Sequence, residues 1–187
     1  MVEPYSKVRL SFGQKILIIL VGLKKFLTTE QICVHLQLKE NGQKNLKQNK
    51  TNKRFVYLIS PNKITDTNFY NDLALVLNSK KINFFQLRLK KETNSNQLVI
   101  GKKIKKICNK YKVKFLVNDD PLLAKKLNAD GCHLGQKDMN LTEARKILKN
   151  KIIGVTCHNS INLAKTAIEA GADYLAFGAF YATKTKI

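Results

Sequence analysis

The chain has 187 residues, enough for one domain of ordinary size with an appendage. Hydrophobic residues make up 44% of it, so a sizeable core is feasible, and 34 Lys and Arg against 13 Asp and Glu give a formal net charge of +21. That charge suits an anionic ligand or nucleic acid. However, the lysines are spread along helix faces and connections, without zinc-finger spacing, a helix-turn-helix signature or basic–aromatic interleaving, which argues against a dedicated nucleic-acid module. Cys33, Cys108, Cys132 and Cys157 have neither disulfide nor metal-ligand spacing and read as buried thiols of a protein in a reducing cytoplasm.

Residues 1–52 differ from the rest. Ile16 to Val21 is an apolar run of strand type, Leu23 to Glu30 suits a helical turn, and Ile32 to Leu38 alternates like a second strand. The run from Ile16 to Gly22 is far short of the roughly 20 residues needed to span a membrane. Lys24 and Lys25 behind it argue against a signal peptide, so no membrane partner and a cytoplasmic location are expected. Residues 39–54 are polar and basic, as in a linker. The domain division is therefore a basic extension and linker over 1–52 and a folded unit over 53–187.

From Arg54 the pattern is regular. Strands are expected at Phe55 to Ile59, Ile82 to Leu89, Val113 to Val117, Ala129 to Leu134, Ile152 to Thr156 and Asp173 to Phe177. Helices are expected at Asn68 to Asn78, Gln97 to Tyr111, Pro121 to Asn128, Leu141 to Leu148 and Ser160 to Ala170, the last closed by Gly171. This alternation is a parallel α/β architecture, and its periodicity leaves a doubly wound sheet and a barrel both open. No glycine-rich dinucleotide turn follows the first strand, where Ser60-Pro61-Asn62 stands. Polar residues follow nearly every strand, which is how a barrel builds its site.

Gln86, Arg88 and Lys90 alternate along one strand and share one face, a suitable anchor for a pyrophosphate unless the face is an edge turned to water. Asn118, Asp119 and Asp138 lie just past two consecutive strands. Carboxylates so placed converge on one hard cation such as Mg²⁺, although a helix cap or a turn would also account for each alone. Asp120, before Pro121, suits a cap. His133 has the parity to face the same side as Gln86, as a substrate contact or a satisfied core residue. His158 suits a cap or the mouth of the site. Thr183, Thr185 and Lys186 form a loop able to cradle a phosphate.

Taken together, these residues resemble the thiamine phosphate synthase family, whose fold is a (β/α)₈ TIM barrel. Gln86 to Lys90 resembles the family's Gln-x-Arg-x-Lys, Asn118 to Asp120 its Asn-Asp-Asp, and Ala129 to Asp138 its Ala-Asp-Gly-x-His-x-Gly-Gln-x-Asp. Gly154 to His158 resembles Gly-Val-Ser-x-His with Thr156 in the serine position. Gly171 to Tyr174, Gly178 and Thr183 to Lys186 are similar to the family's closing motifs. Leu89 stands where glutamate is usual, and Ala179 and Ala182 stand where prolines are common.

The resemblance implies an enzyme that joins an aminopyrimidine methyl diphosphate to a thiazole phosphate and releases pyrophosphate. Gln86, Arg88, Lys90 and Asn118 would hold the pyrimidine diphosphate, and Asp119 and Asp138 would bind Mg²⁺. Thr156 and Lys186 would contact the pyrimidine substrate or its leaving group, and Thr183 and Thr185 the thiazole phosphate. It also implies strands seven and eight, which have no counterpart after Ile187. About six βα units, a barrel shortened at its C-terminal side, are therefore expected. The segment joining the two apolar runs of 1–52 is too short for a crossover helix, so those runs are not expected to replace the two strands. A homo-oligomer is compatible with the resemblance. A thiazole tautomerase-like barrel and an inactive homologue are the alternatives, and the acidic pair speaks against the former.

Overall fold

The computed structural model describes residues 56–178 apart from 67, together with the backbone of Ile19–Leu20 (β1) and Ile32–Cys33 (β2). β1 and β2 pair antiparallel and form a two-stranded sheet of their own. Antiparallel pairing is not that of staves in a parallel barrel. The helical turn expected at Leu23 to Glu30 and the linker lie outside the described residues.

The remaining elements alternate: β3 (Val56–Ile59), α1 (Phe69–Asn78), β4 (Ile82–Leu87), α2 (Asn94–Lys110), β5 (Lys114–Asn118), α3 (Pro121–Lys126), β6 (Gly131–Leu134), α4 (Leu141–Leu148), β7 (Ile152–Thr156), α5 (Ile161–Glu169) and β8 (Tyr174–Ala176). The six strands form one sheet in the order β3-β4-β5-β6-β7-β8, each parallel to the next. A doubly wound sheet reverses its order at a switch point; this one never does. Crossovers between parallel strands are right-handed as a rule, so an order without reversal collects the helices on one face, and the sheet curls away from them.

The curl has a direct measure. Tyr57 stands on β3 and Tyr174 on β8, the two ends of the sheet, yet their hydroxyls are 2.9 Å apart. Flat, six strands at about 4.8 Å spacing would put the outer two more than 20 Å apart. The sheet is therefore a partial (β/α) barrel, which decides between the two architectures left open by the periodicity.

Strand alternation divides the side chains between its two faces. Outside, Leu58, Phe85, Leu87, Phe115, Val117, Cys132, Leu134 and Ile153 pack on helix residues including Leu73, Leu77, Ile104 and Ala144. Inside, Tyr57, Leu116 and Tyr174 cluster with Phe84 and Ile152. Among the described residues no helix is long and apolar enough to cross a membrane.

Two acids lock the amino-terminal rim in the same way. The backbone N–H of Asp130 donates to Phe115 O at 2.8 Å, and its carboxylate accepts from Phe115 N at 2.9 Å. Asp173 does the same with Ile153, at 2.8 Å for both bonds. Each carboxylate is balanced from a helix: Lys105 of α2 lies 2.8 Å from Asp130, and Arg145 of α4 lies 2.7 Å from Asp173. Burial raises the pKa of Asp130, but Lys105, the Phe115 N–H and Lys114 outweigh it and hold the carboxyl below its ordinary range.

The structure corrects several boundaries. The second strand of the regular region ends at Leu87, not Leu89, because Arg88 N donates to the Ser60 hydroxyl at 2.8 Å instead of to a neighbouring strand. α2 begins at Asn94 rather than Gln97, since Thr93 caps it by accepting from Asn96 N; its polar first turn has no apolar periodicity to reveal it. β6 begins at Gly131 rather than Ala129, and α3 ends at Lys126 rather than Asn128. Gly171 closes α5 with φ +87°, as expected of a left-handed cap.

Candidate active site

The carboxyl ends of the strands surround an open cavity of about 410 Å³. Gln86, Arg88, Lys90, Asn118, Asp119, His133, Asp138 and Thr156 all line it. His158 lines it too, settling that residue at the mouth. Thr183, Thr185 and Lys186 lie outside the described residues.

Gln86, 3% exposed, faces inward from β4, and its Nε2 donates to Asn118 Oδ1 of β5 at 2.5 Å. Both are thus held on the inner face, with the rest of their amide groups available to a ligand. Arg88 Nη1 donates to Asn62 Oδ1 at 2.5 Å. Ser60 and Asn62, at the end of β3, aim this arginine from behind and were not legible as site residues. Lys90 lies beyond the strand and pairs with Asp119 at 3.0 Å.

Asp119 and Asp120 divide the roles that the sequence left open between them. Asp120 caps α3, its Oδ1 accepting from Leu122 N at 2.8 Å and Leu123 N at 2.9 Å. Asp119 does not cap. It sits at φ +65°, in the left-handed region, while its N–H donates to His133 O at 2.8 Å. This unusual backbone turns its carboxylate to the cavity, within hydrogen-bonding reach of Asp138. Burial chiefly, and then Asp138, raise the Asp119 pKa, with Lys90 opposing. Asp138 accepts from Gly135 N at 2.6 Å, so it also closes the turn after β6.

On the floor, His133 bridges two elements. Its Nδ1 is 2.8 Å from the Tyr174 hydroxyl and its Nε2 is 2.8 Å from Thr156 Oγ1. Gln136 Nε2 donates to Thr156 O at 2.5 Å, tying the β6 turn to β7. Gln136 and Tyr174 lie in the motifs around 129–138 and 171–174, Tyr57 in none, and the barrel brings all three to the site. The lining thus combines cations at Arg88, Lys90 and Lys137, a carboxylate pair and neutral amide and hydroxyl groups. That set suits a phosphorylated ligand with a polar ring.

Among the described residues no group of three or more His, Cys, Asp and Glu is arranged to hold a metal, which excludes a cage built of those side chains there. Two adjacent carboxylates, one with its pKa raised chiefly by burial and then by the other, nevertheless fit Mg²⁺, which commonly takes one or two carboxylates and completes its shell with water and substrate phosphates.

Comparison with known proteins gives a consistent result. The family model described as thiamine monophosphate synthase matches residues 56–187. The thiamine-phosphate synthase of Pelagibacter ubique is 86% identical over 141 residues, covering 75% of this chain and 68% of that protein. The thiamine-phosphate synthase of Marinobacter nauticus is 43% identical over 134 residues, 70% of this chain and 60% of its own. Among solved structures, the thiamine phosphate pyrophosphorylase of Pyrococcus furiosus superposes with a TM-score of 0.62 at 28% identity, over 71% of this chain and 64% of that one.

Proposed function

The chain belongs to the thiamine monophosphate synthase family, and we propose on that footing that it condenses an aminopyrimidine methyl diphosphate with a thiazole phosphate. The observation that carries this reading is the convergence of Gln86, Arg88, Lys90, Asn118, Asp119, Asp138 and Thr156 on one cavity.

The chemistry asks for little proton transfer. The C–O bond to the diphosphate breaks, its electron pair leaving with pyrophosphate, and the electron-rich aminopyrimidine stabilises the methylene cation. The thiazole nitrogen then donates its lone pair to form the new C–N bond. Catalysis is therefore positioning and charge neutralisation. Gln86 and Asn118, locked to each other, orient the pyrimidine diphosphate. Arg88, aimed by Asn62, and Lys90 neutralise the departing pyrophosphate, and the Thr156 hydroxyl donates to it. Asp119 and Asp138 would hold Mg²⁺, which supplies Lewis-acid neutralisation of the diphosphate when bound. Thr183, Thr185 and Lys186 are proposed for the thiazole phosphate and leaving-group side by their motif alone.

The test is product formation by the purified chain with both substrates and Mg²⁺, beside Asp119→Asn and Asp138→Asn. Condensation by the wild type that falls at least tenfold in each variant is expected. Undiminished product in both variants would remove the acids from the mechanism.

A further inference from the structure

Four groups form one hydrogen-bonded row across the barrel floor: Tyr57 Oη, Tyr174 Oη, the His133 ring and Thr156 Oγ1, with links of 2.9, 2.8 and 2.8 Å. Such a row can point its protons either way, and distances alone do not say which. Its closed end does. The Tyr57 side chain is 3% exposed, and among the described residues its hydroxyl has Tyr174 Oη as its hydrogen-bond partner. Among the described residues the acceptor within reach of the Tyr57 phenol proton is Tyr174 Oη, so Tyr57 donates to Tyr174. Tyr174 must then donate its own proton to His133 Nδ1.

An Nδ1 that accepts makes the imidazole neutral with its proton on Nε2. That proton goes to Thr156 Oγ1. The Thr156 hydroxyl hydrogen is consequently turned away from His133 and towards the cavity Thr156 lines. The opposite polarity would leave the Tyr57 proton buried without an acceptor, which disfavours it by roughly tenfold or more. Burial raises both phenol pKa values, so both are protonated donors at neutral pH.

We propose that Tyr174 is a positioning residue: it holds His133 as the Nε2–H tautomer and so sets the Thr156 hydroxyl as a hydrogen donor towards an anionic ligand. The ligand named here, a pyrophosphate, rests on the function proposed above; the tautomer does not.

The experiment separates the two. The chain has three histidines, so ¹⁵N-histidine labelling of the full chain with nitrogen–proton correlation spectra at pH 7.5 resolves the ring of His133, identified by its loss in His133→Gln. Nδ1 is expected at an unprotonated and Nε2 at a protonated shift. Tyr57→Phe retains this pattern, because Tyr174 can still donate only to Nδ1. Tyr174→Phe removes the donor and gives mixed tautomers, and it weakens inorganic pyrophosphate, measured with Mg²⁺, by roughly three- to tenfold. A wild-type ring protonated on Nδ1, or on both nitrogens, would overturn the proposal even if Tyr174→Phe does not fold. So would a Tyr174→Phe ring that keeps the wild-type tautomer, or one that loses it with pyrophosphate affinity intact. Wild-type chain with the expected tautomer but no affinity for pyrophosphate would sink the proposed function and leave the positioning role standing.

Discussion

The ring of Tyr174 lies directly over Gly154, its partner in the β7–β8 pair: a Cβ built on residue 154 would stand 1.9 Å from the Tyr174 Cζ. Glycine there is the space in which the ring sits. Gly154→Ala must displace Tyr174 and break its hydrogen bonds to Tyr57 and His133. A loss of roughly 1–3 kcal/mol is expected, read as a lower denaturation midpoint in urea.

Asp119→Asn is expected to lower the proposed condensation activity at least tenfold and yet stabilise the fold at neutral pH. The folded-state pKa of Asp119 is raised, chiefly by burial and then by Asp138. For a raised carboxylate the folded state binds the extra proton, so its ionisation lowers stability as pH rises from the unfolded pKa through the folded one. The penalty is complete above that window and absent below about pH 3.9. The neutral amide escapes it, and asparagine tolerates the left-handed backbone at φ +65°. A melting temperature roughly 2–4 °C above the wild type at pH 8 is expected, with the advantage vanishing towards pH 3.9.

Asp130 has the opposite sign. Although burial works against it, Lys105, the Phe115 N–H and Lys114 depress its folded pKa. Its contribution is therefore fully present above the unfolded pKa, near 3.9, and is lost as pH falls through the lower folded value. Asp130→Asn is expected to cost roughly 1–3 kcal/mol at pH 7. Unfolding curves of wild type and variant measured from pH 7 downward should converge only below about pH 4.

Arg145 is a fork that lysine cannot replace. Its Nη1 donates to Lys149 O and Lys151 O, and its Nη2 donates to Gly171 O and Asp173 Oδ2, at 2.6 to 2.8 Å. An ammonium on a flexible stem reaches few of these acceptors at once. Arg145→Lys is expected to lower stability by about 1–3 kcal/mol, with salt restoring little of it, since several partners are neutral carbonyls. Equilibrium unfolding at two ionic strengths checks both statements.

Much of the architecture was legible because strand and helix patterns are local. β7 and α4 match the expected Ile152 to Thr156 and Leu141 to Leu148, and alternation put Gln86, Arg88 and Lys90 on one face, where all three line the cavity. One misplaced end was fixed by a partner elsewhere. Arg88 leaves the strand because the Ser60 hydroxyl takes its N–H, 28 residues away in sequence. Nothing near Asn62 in the sequence shows that it aims Arg88, 26 residues away.

By itself, the sequence determined the alternation of elements, the inward parity of the polar residues and the placing of acids at consecutive strand ends, since each depends on a period of 2 or 3.6 along a short run. The resemblance implies a barrel, but only the tertiary structure decided which of these residues meet across the curled sheet. Tyr57 and Tyr174 are 117 positions apart, and their contact depends on the accumulated twist of six strands in unbroken sequential order. The same curvature brings His133 between Tyr174 and Thr156. No local pattern encodes it, because it is a property of how the strands add together.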